Sequence, residues 1–160
     1  MPSPRIRPLD LTDDDALAAV HRIGRAAYAV EAGLIGFDGI PALRESPADL
    51  RARPLRWLGA VAGGGALAGF LAWQEEPGAG PAGGAVSVDR LCVAPEHFRR
   101  GVASLLLRHL LSDVPRGRPV TVTTGAANTP AVALYERLGF TRGPDFSPVP
   151  GLRMASFRRD

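Results

Sequence analysis

Asn128-Thr129-Pro130-Ala131-Val132-Ala133-Leu134-Tyr135-Glu136-Arg137-Leu138-Gly139-Phe140 is the stretch whose reading decides the fold. Asn128 is a natural helix N-cap, because its short side chain can accept from an amide two or three residues on. Pro130 fits the first turn of a helix, where a missing N–H costs nothing. Gly139 suits the left-handed position just past a helix end, which lets Phe140 fold back into a core. A helix from Thr129 to Leu138 follows. Val132, Tyr135 and Gly139 fall at i, i+3 and i+7, so one face of it presents the phenol. Taken alone, such a tyrosine is also compatible with a core ring whose polar tip is wet.

Upstream lies a second strand-to-helix junction, Val93-Ala94-Pro95-Glu96-His97-Phe98-Arg99-Arg100-Gly101-Val102-Ala103-Ser104. Pro95 ends a strand, Gly101 permits close backbone approach, and helical periodicity begins at once with Val102, Leu105, Leu106 and Leu110. The first amides of a helix lack internal partners and carry partial positive charge, which suits a pyrophosphate. Arg99 and Arg100 add forked donors beside them. The plain alternative is a solvated basic turn. No Gly-Lys-Ser/Thr follows a glycine-rich loop and no Gly-X-Gly-X-X-Gly run occurs, so neither a P-loop nor a dinucleotide fingerprint is present.

Together, in this order and at this distance, the two motifs resemble those of the GNAT superfamily of acetyltransferases. The likeness is sharp from about Val86 to Phe140. It implies an α/β (α+β) fold, with a mixed central sheet of about seven strands flanked by about four helices. It implies acetyl-CoA as co-substrate, wedged where the fourth and fifth strands diverge. Backbone amides of Arg99, Arg100, Gly101, Val102, Ala103 and Ser104 would hold the pyrophosphate. The strand edge at Leu91, Cys92 and Val93 would pair with the pantetheine amides. Asn128 would meet the pantetheine arm, and Tyr135 would point at the thioester sulfur.

Direct transfer to an amine needs a base, a polarised carbonyl and a proton for the leaving thiolate. The Val93 amide is the candidate carbonyl donor, and Tyr135, acid at neutral pH, the candidate proton source. Asp89, placed by strand alternation on a face with Ser87 and Leu91, and Glu31 are the candidate bases. For each, a salt bridge or a cap is the plain alternative. Cys92 reads as a small buried strand residue, not a covalent acyl carrier. Phe98 stands where family members usually carry Gln or Arg, and Ala103 where a second Gly is common. Thr123 occupies the position of the glutamate base in the ribosomal-protein N-terminal acetyltransferases, which argues against a protein N-terminus handled by that chemistry. The function implied is acetyl transfer to a primary amine of a small molecule; a protein lysine acetyltransferase and a catalytically silent CoA-binding regulatory module are the alternatives.

Outward from these motifs, 160 residues without an internal repeat or linker read as one domain over residues 1–160. Thr12 and Asp15 fit a capping box, with Leu17, Val20, Ile23 and Ala27 on one helical stripe to Tyr28. Segment 31–54 is broken by glycine and proline, with a short helix over Pro47 to Arg53. Strands are expected at Arg5–Leu9, Trp57–Ala62, Ala66–Gln74, Ala85–Val93 and Pro119–Thr124, and a final pair at Phe140–Ser147 and Arg153–Phe157. Pro77 to Gly84 reads as an exposed loop. The segment from Glu31 to Pro54, the strands of Trp57 and Trp73 and the tail from Pro144 to Pro150 are expected to form the acceptor wall, with Phe37, Trp57 and Trp73 as its apolar candidates.

Hydrophobic residues make up 46% and charged residues 22%, the balance of a soluble globular protein. No apolar run approaches the roughly 18 residues of a membrane span, and the start lacks an apolar signal core. A cytoplasmic, bacterial protein is expected, with no membrane partner and a homodimer left open. The net charge of +3 comes entirely from scattered arginines, lysine being absent, which argues for a GC-rich genome and against a nucleic-acid surface. One cysteine and three histidines in no ligand spacing point to no metal.

Overall fold

The computed structural model describes residues 3–78 and 83–160; residues 79–82 of the expected Pro77–Gly84 loop lie outside them. Strands β1 (Arg5–Leu9), β2 (Arg56–Val61), β3 (Leu67–Glu75), β4 (Val86–Val93), β5 (Val120–Gly125), β6 (Thr141–Arg142), β7 (Phe146–Val149) and β8 (Leu152–Arg159) form one sheet. Helices α1 (Asp14–Ile35), α2 (Pro47–Ala52), α3 (Val102–Ser112) and α4 (Thr129–Arg137) cover its two faces. The sheet order is β1-β2-β3-β4-β5-β8-β6, with β7 on β8. Eight strands stand where about seven were expected, because Gly143 and Pro144 break the Phe140–Ser147 run into β6 and β7. Every pairing is antiparallel except β4 with β5, which α3 connects.

The helices follow from local chemistry. Asp13, one residue past the expected Thr12, caps α1 by accepting from Ala16 N at 3.2 Å, while Thr12 donates its hydroxyl to Asp10. The helix runs past Tyr28 to Ile35, so Glu31 sits in a regular turn and not in a loose segment. Gly33 is carried inside it, a local cost of about 1 kcal/mol that tertiary packing overrides. Ser46 and Asp49 form a reciprocal capping box on α2. Asn128 caps α4 through Ala131 N at 3.4 Å, and Phe140 folds back to bond Tyr135 O.

Two cores result. One lies under α3 and α4 and contains Val86, Val88, Leu106, Leu107, Val120 and Phe157; the other, under α1 and α2, contains Val20, Ile23, Leu50, Phe70 and Cys92. Each fully buried aliphatic or aromatic side chain there contributes about 1.5–3 kcal/mol.

What positions the site is an extra residue in β4. Ala72 of β3 faces Arg90, yet its neighbour Trp73 faces Val88, so Asp89 is a bulge. The bulge shifts the phase of the strand: Val86 and Val88 before it, and Leu91 and Val93 after it, all pack on the α3 side, while Cys92 joins the α1 side. Simple alternation, which would put Ser87, Asp89 and Leu91 on one face, is thereby overturned. Pairing of β4 with β5 ends at the same place, at Val88 opposite Val122. Beyond it β4 follows β3 and β5 follows β8, and the sheet opens into a wedge.

Candidate active site

Two clefts occupy the wedge. The larger, about 450 Å³, lies between α1, the end of β4 and the starts of α3 and α4. The smaller, about 280 Å³, lies between α1, the chain before α2, β4 and β5. Tyr28, Glu31, Leu91, Asn128, Ala131 and Tyr135 line both, so the clefts meet there.

Main-chain groups dominate the larger cleft. Ala94 N bonds back to Ala68 O, near the start of β3. By strand alternation the amides of Leu91 and Val93 point the other way, toward the cleft. Arg99 and Gly101 both adopt left-handed backbone, φ 64° and 75°. Such a turn gathers successive amides into a concavity that suits an anion. Gly101 serves as N-cap of α3 with no side-chain bond to the first amides. A Cβ built on Gly101 would meet no protein atom within 4 Å, so the space beside it is open to a ligand. Val102, Ala103, Ser104 and Arg99 line the cleft, as do Leu91, Cys92 and Val93. Arg100 is exposed and does not line it. Phe98 sits at the rim, 40% exposed, with Val30 and Leu34 of α1.

Where the clefts meet, Tyr135 is 5% exposed and packs edge-on to Phe140 and tilted to Phe157, ring centroids 5.7 and 5.3 Å away. Its hydroxyl has no hydrogen-bond partner among the described residues. Burial, followed by Glu31 and Cys92, raises its pKa above the usual tyrosine value, so the phenol holds its proton well into the alkaline range. Glu31 is held from β5: its Oε1 accepts from Thr124 Oγ1 at 3.2 Å and from Gly125 N at 3.3 Å. Thr124 Oγ1 in turn accepts from Asn128 Nδ2 at 3.4 Å. Gly125 is needed for space, since a Cβ there would stand 2.6 Å from Ile35 Cγ2. Oε2 of Glu31 is left without a partner among the described residues.

Cys92 is 2% exposed, and burial pushes its thiol up to about 12, which keeps it protonated and inert as a nucleophile at neutral pH. Tyr28, unnoticed in the sequence, stands beside it with its own pKa raised by burial and by Cys92. Asp89 lines the smaller cleft only, bound to Arg90 Nε at 2.7 Å and 3.8 Å from Arg53 Nη1. Arg90 also reaches Glu45 at 3.2 Å, and Arg53 reaches Glu45 at 2.9 Å. Burial works against the charge on Arg90, but Tyr28, Glu45 and Asp89 outweigh it and its pKa is raised.

Of the expected acceptor wall, segment 31–54 lines the smaller cleft through Ile35, Ile40, Ala42, Glu45 and Arg53, whereas the aromatics do not. Trp57 is a core residue against Phe70, and Trp73 packs under Arg56; neither they nor Phe37 line either cleft, and Leu152 and Met154 take the place of the 144–150 tail. His21 bonds Glu45 O at 2.9 Å. Among the described residues, no helix is long and apolar enough to cross a membrane.

Residues 26–140 match the family model of the Acetyltransferase (GNAT) family. UPF0157 protein YqkA of Bacillus subtilis is 33% identical over 131 residues, 82% of this chain and 36% of that protein. A mycothiol acetyltransferase of Pseudarthrobacter chlorophenolicus is 36% identical over 135 residues, 81% of this chain and 40% of that protein. The chain thus spans about two fifths of the length of these curated relatives. Among solved structures, the PaiA N-acetyltransferase of Thermoplasma acidophilum in complex with coenzyme A superposes with a TM-score of 0.71. It covers 98% of each chain at 16% identity, which is a likeness of fold.

Proposed function

Because this chain belongs to the acetyltransferase (GNAT) family, we propose that it moves an acetyl group from acetyl-CoA directly to the primary amine of a small molecule. The observation that carries this reading is the meeting of two clefts at Tyr135 and Glu31. The larger has the amide-lined turn and strand edge that fit a pyrophosphate and a pantetheine arm; the smaller, about 280 Å³, has room for a small acceptor.

Acetyl-CoA, when bound, supplies an activated carbonyl and a leaving thiolate. The amides around Gly101 bind the diphosphate, and the cleft-facing amide of Val93 donates to the carbonyl oxygen as it gains charge. Glu31 Oε2 takes the proton that an ammonium must lose before it can attack. Thr124 and the Gly125 amide keep that carboxylate in one orientation. Tyr135 gives its proton to the departing sulfur, and the proton the attacking nitrogen sheds as the amide forms restores the phenol. Asp89 is occupied by two guanidinium groups, which makes Glu31 the better base.

Thiol release from acetyl-CoA, measured across a panel of primary amines, tests the reading. Amine-dependent release supports it. Tight CoA binding with no turnover on any amine overturns it in favour of a silent binding module.

A further inference from the structure

The charges around the smaller cleft are unequal and largely committed. Five charged side chains line it: Glu31, Glu45, Asp89, Arg53 and Arg90. They come from α1, from the chain before α2, from the segment after α2 and from β4. Arg90 has a 6% exposed side chain and is bound on both sides, by Glu45 and by Asp89. Arg53 spans the same two carboxylates. Both cations are therefore neutralised by Glu45 and Asp89, and Glu31, paired with no cation among the described residues, leaves the cleft one negative charge in excess.

From this balance we infer that the acceptor is an amine with no carboxylate beside it: a cationic head on an uncharged body. The inference rests on the transfer reading above and sharpens its substrate class. An ammonium entering the cleft meets Glu31 without breaking any ion pair. A carboxylate entering beside it meets three carboxylates, and reaches a guanidinium only by displacing Glu45 or Asp89 from it. Like-charge approach in a partly dewatered cleft and the loss of an existing pair both disfavour it. The remaining lining is uncharged, with Ile35, Ile40, Val122, Leu152 and Met154 beside Thr123, Thr124 and Asn128, which suits an uncharged body.

Matched pairs that differ only in the carboxylate test this: tyramine against tyrosine, and phenethylamine against phenylalanine, as acceptors for the full chain with saturating acetyl-CoA. The expected kcat/KM is at least tenfold higher for the decarboxylated member of each pair, carried mainly by KM. In Asp89→Asn the freed guanidinium should narrow that ratio severalfold, the two members of each pair being compared on the same variant protein. Equal or better turnover of the amino acids overturns the inference and leaves the transfer reading standing. An Asp89→Asn protein whose ratio is unchanged also overturns it. CoA binding without turnover on either member overturns the transfer reading and this inference with it.

Discussion

The two clefts share a wall but differ in material. The larger is shaped by backbone: a left-handed turn at Arg99 and Gly101, unpartnered amides at the start of α3, and the free edge of β4. The smaller is shaped by side chains from distant segments, tied by ion pairs between Glu45, Arg53, Asp89 and Arg90. A backbone site is local in sequence and recognises a constant group; a side-chain site is assembled late and can be respecified by single substitutions. The first suits a shared co-substrate, the second a private one.

Breaking the shared wall should have the largest effect. Glu31→Gln keeps the bonds from Thr124 and Gly125 and loses the base. Its kcat should fall roughly 100- to 1000-fold, with acetyl-CoA affinity unchanged. Activity near wild type in steady-state assays at pH 7 would reassign the proton to water. Tyr135→Phe should cost less, roughly 10- to 100-fold in kcat, because the coenzyme A thiol is itself acidic. With the phenol's pKa raised, wild-type kcat should show no fall through pH 10 attributable to Tyr135. A melt beside the kinetics separates this from a purely structural tyrosine, which would lose stability and keep its turnover.

Gly101→Val tests the backbone cleft alone. Its φ of 75° strains any β-branched residue, and the added side chain fills the open space beside the amides. Acetyl-CoA should bind at least tenfold more weakly, about 1.4 kcal/mol by titration calorimetry, while the acceptor preference of residual turnover is unchanged. A shift in that preference would mean the clefts are not separable.

The smallest effect concerns the floor of the larger cleft. The folded-state pKa of Cys92 lies above its ordinary value, so the thiol's contribution is complete below about pH 9 and is lost as pH rises toward 12. Tyr28 and Tyr135, also raised, add the same sign above pH 10. Melting temperature should fall above pH 9, and less steeply in Cys92→Ala; parallel curves for the two proteins would remove the thiol from that slope.

This division explains what could be read from the sequence. Asn128, Tyr135 and the turn from Arg99 to Ser104 lie in two short stretches whose caps and breaks are local, and the structure brings them to one opening. The end of α1 was missed because Gly33 and Gly36 argue for a loop, whereas packing carries the helix through Gly33 to Ile35. Arg53, Arg90 and Thr124 gave no local signal: each matters through a partner 8 to 93 positions away. One signal was present and unread. The apolar positions Val86, Val88, Leu91 and Val93 step by two, then three, then two, which is the trace of a bulge.

That step of three has a consequence for descent. Losing the codon for Asp89 would restore an even ladder between β3 and β4 and let β4 run on beside β5. The same loss would keep every later residue on its present face: Leu91 and Val93 stay in step with Val86 and Val88, and Arg90 stays with Cys92 on the α1 side. The closed sheet is thus one deletion away, and the polarity of the next four residues does not oppose it. The opening rests on a single inserted residue, which only selection for what the wedge holds can keep in place.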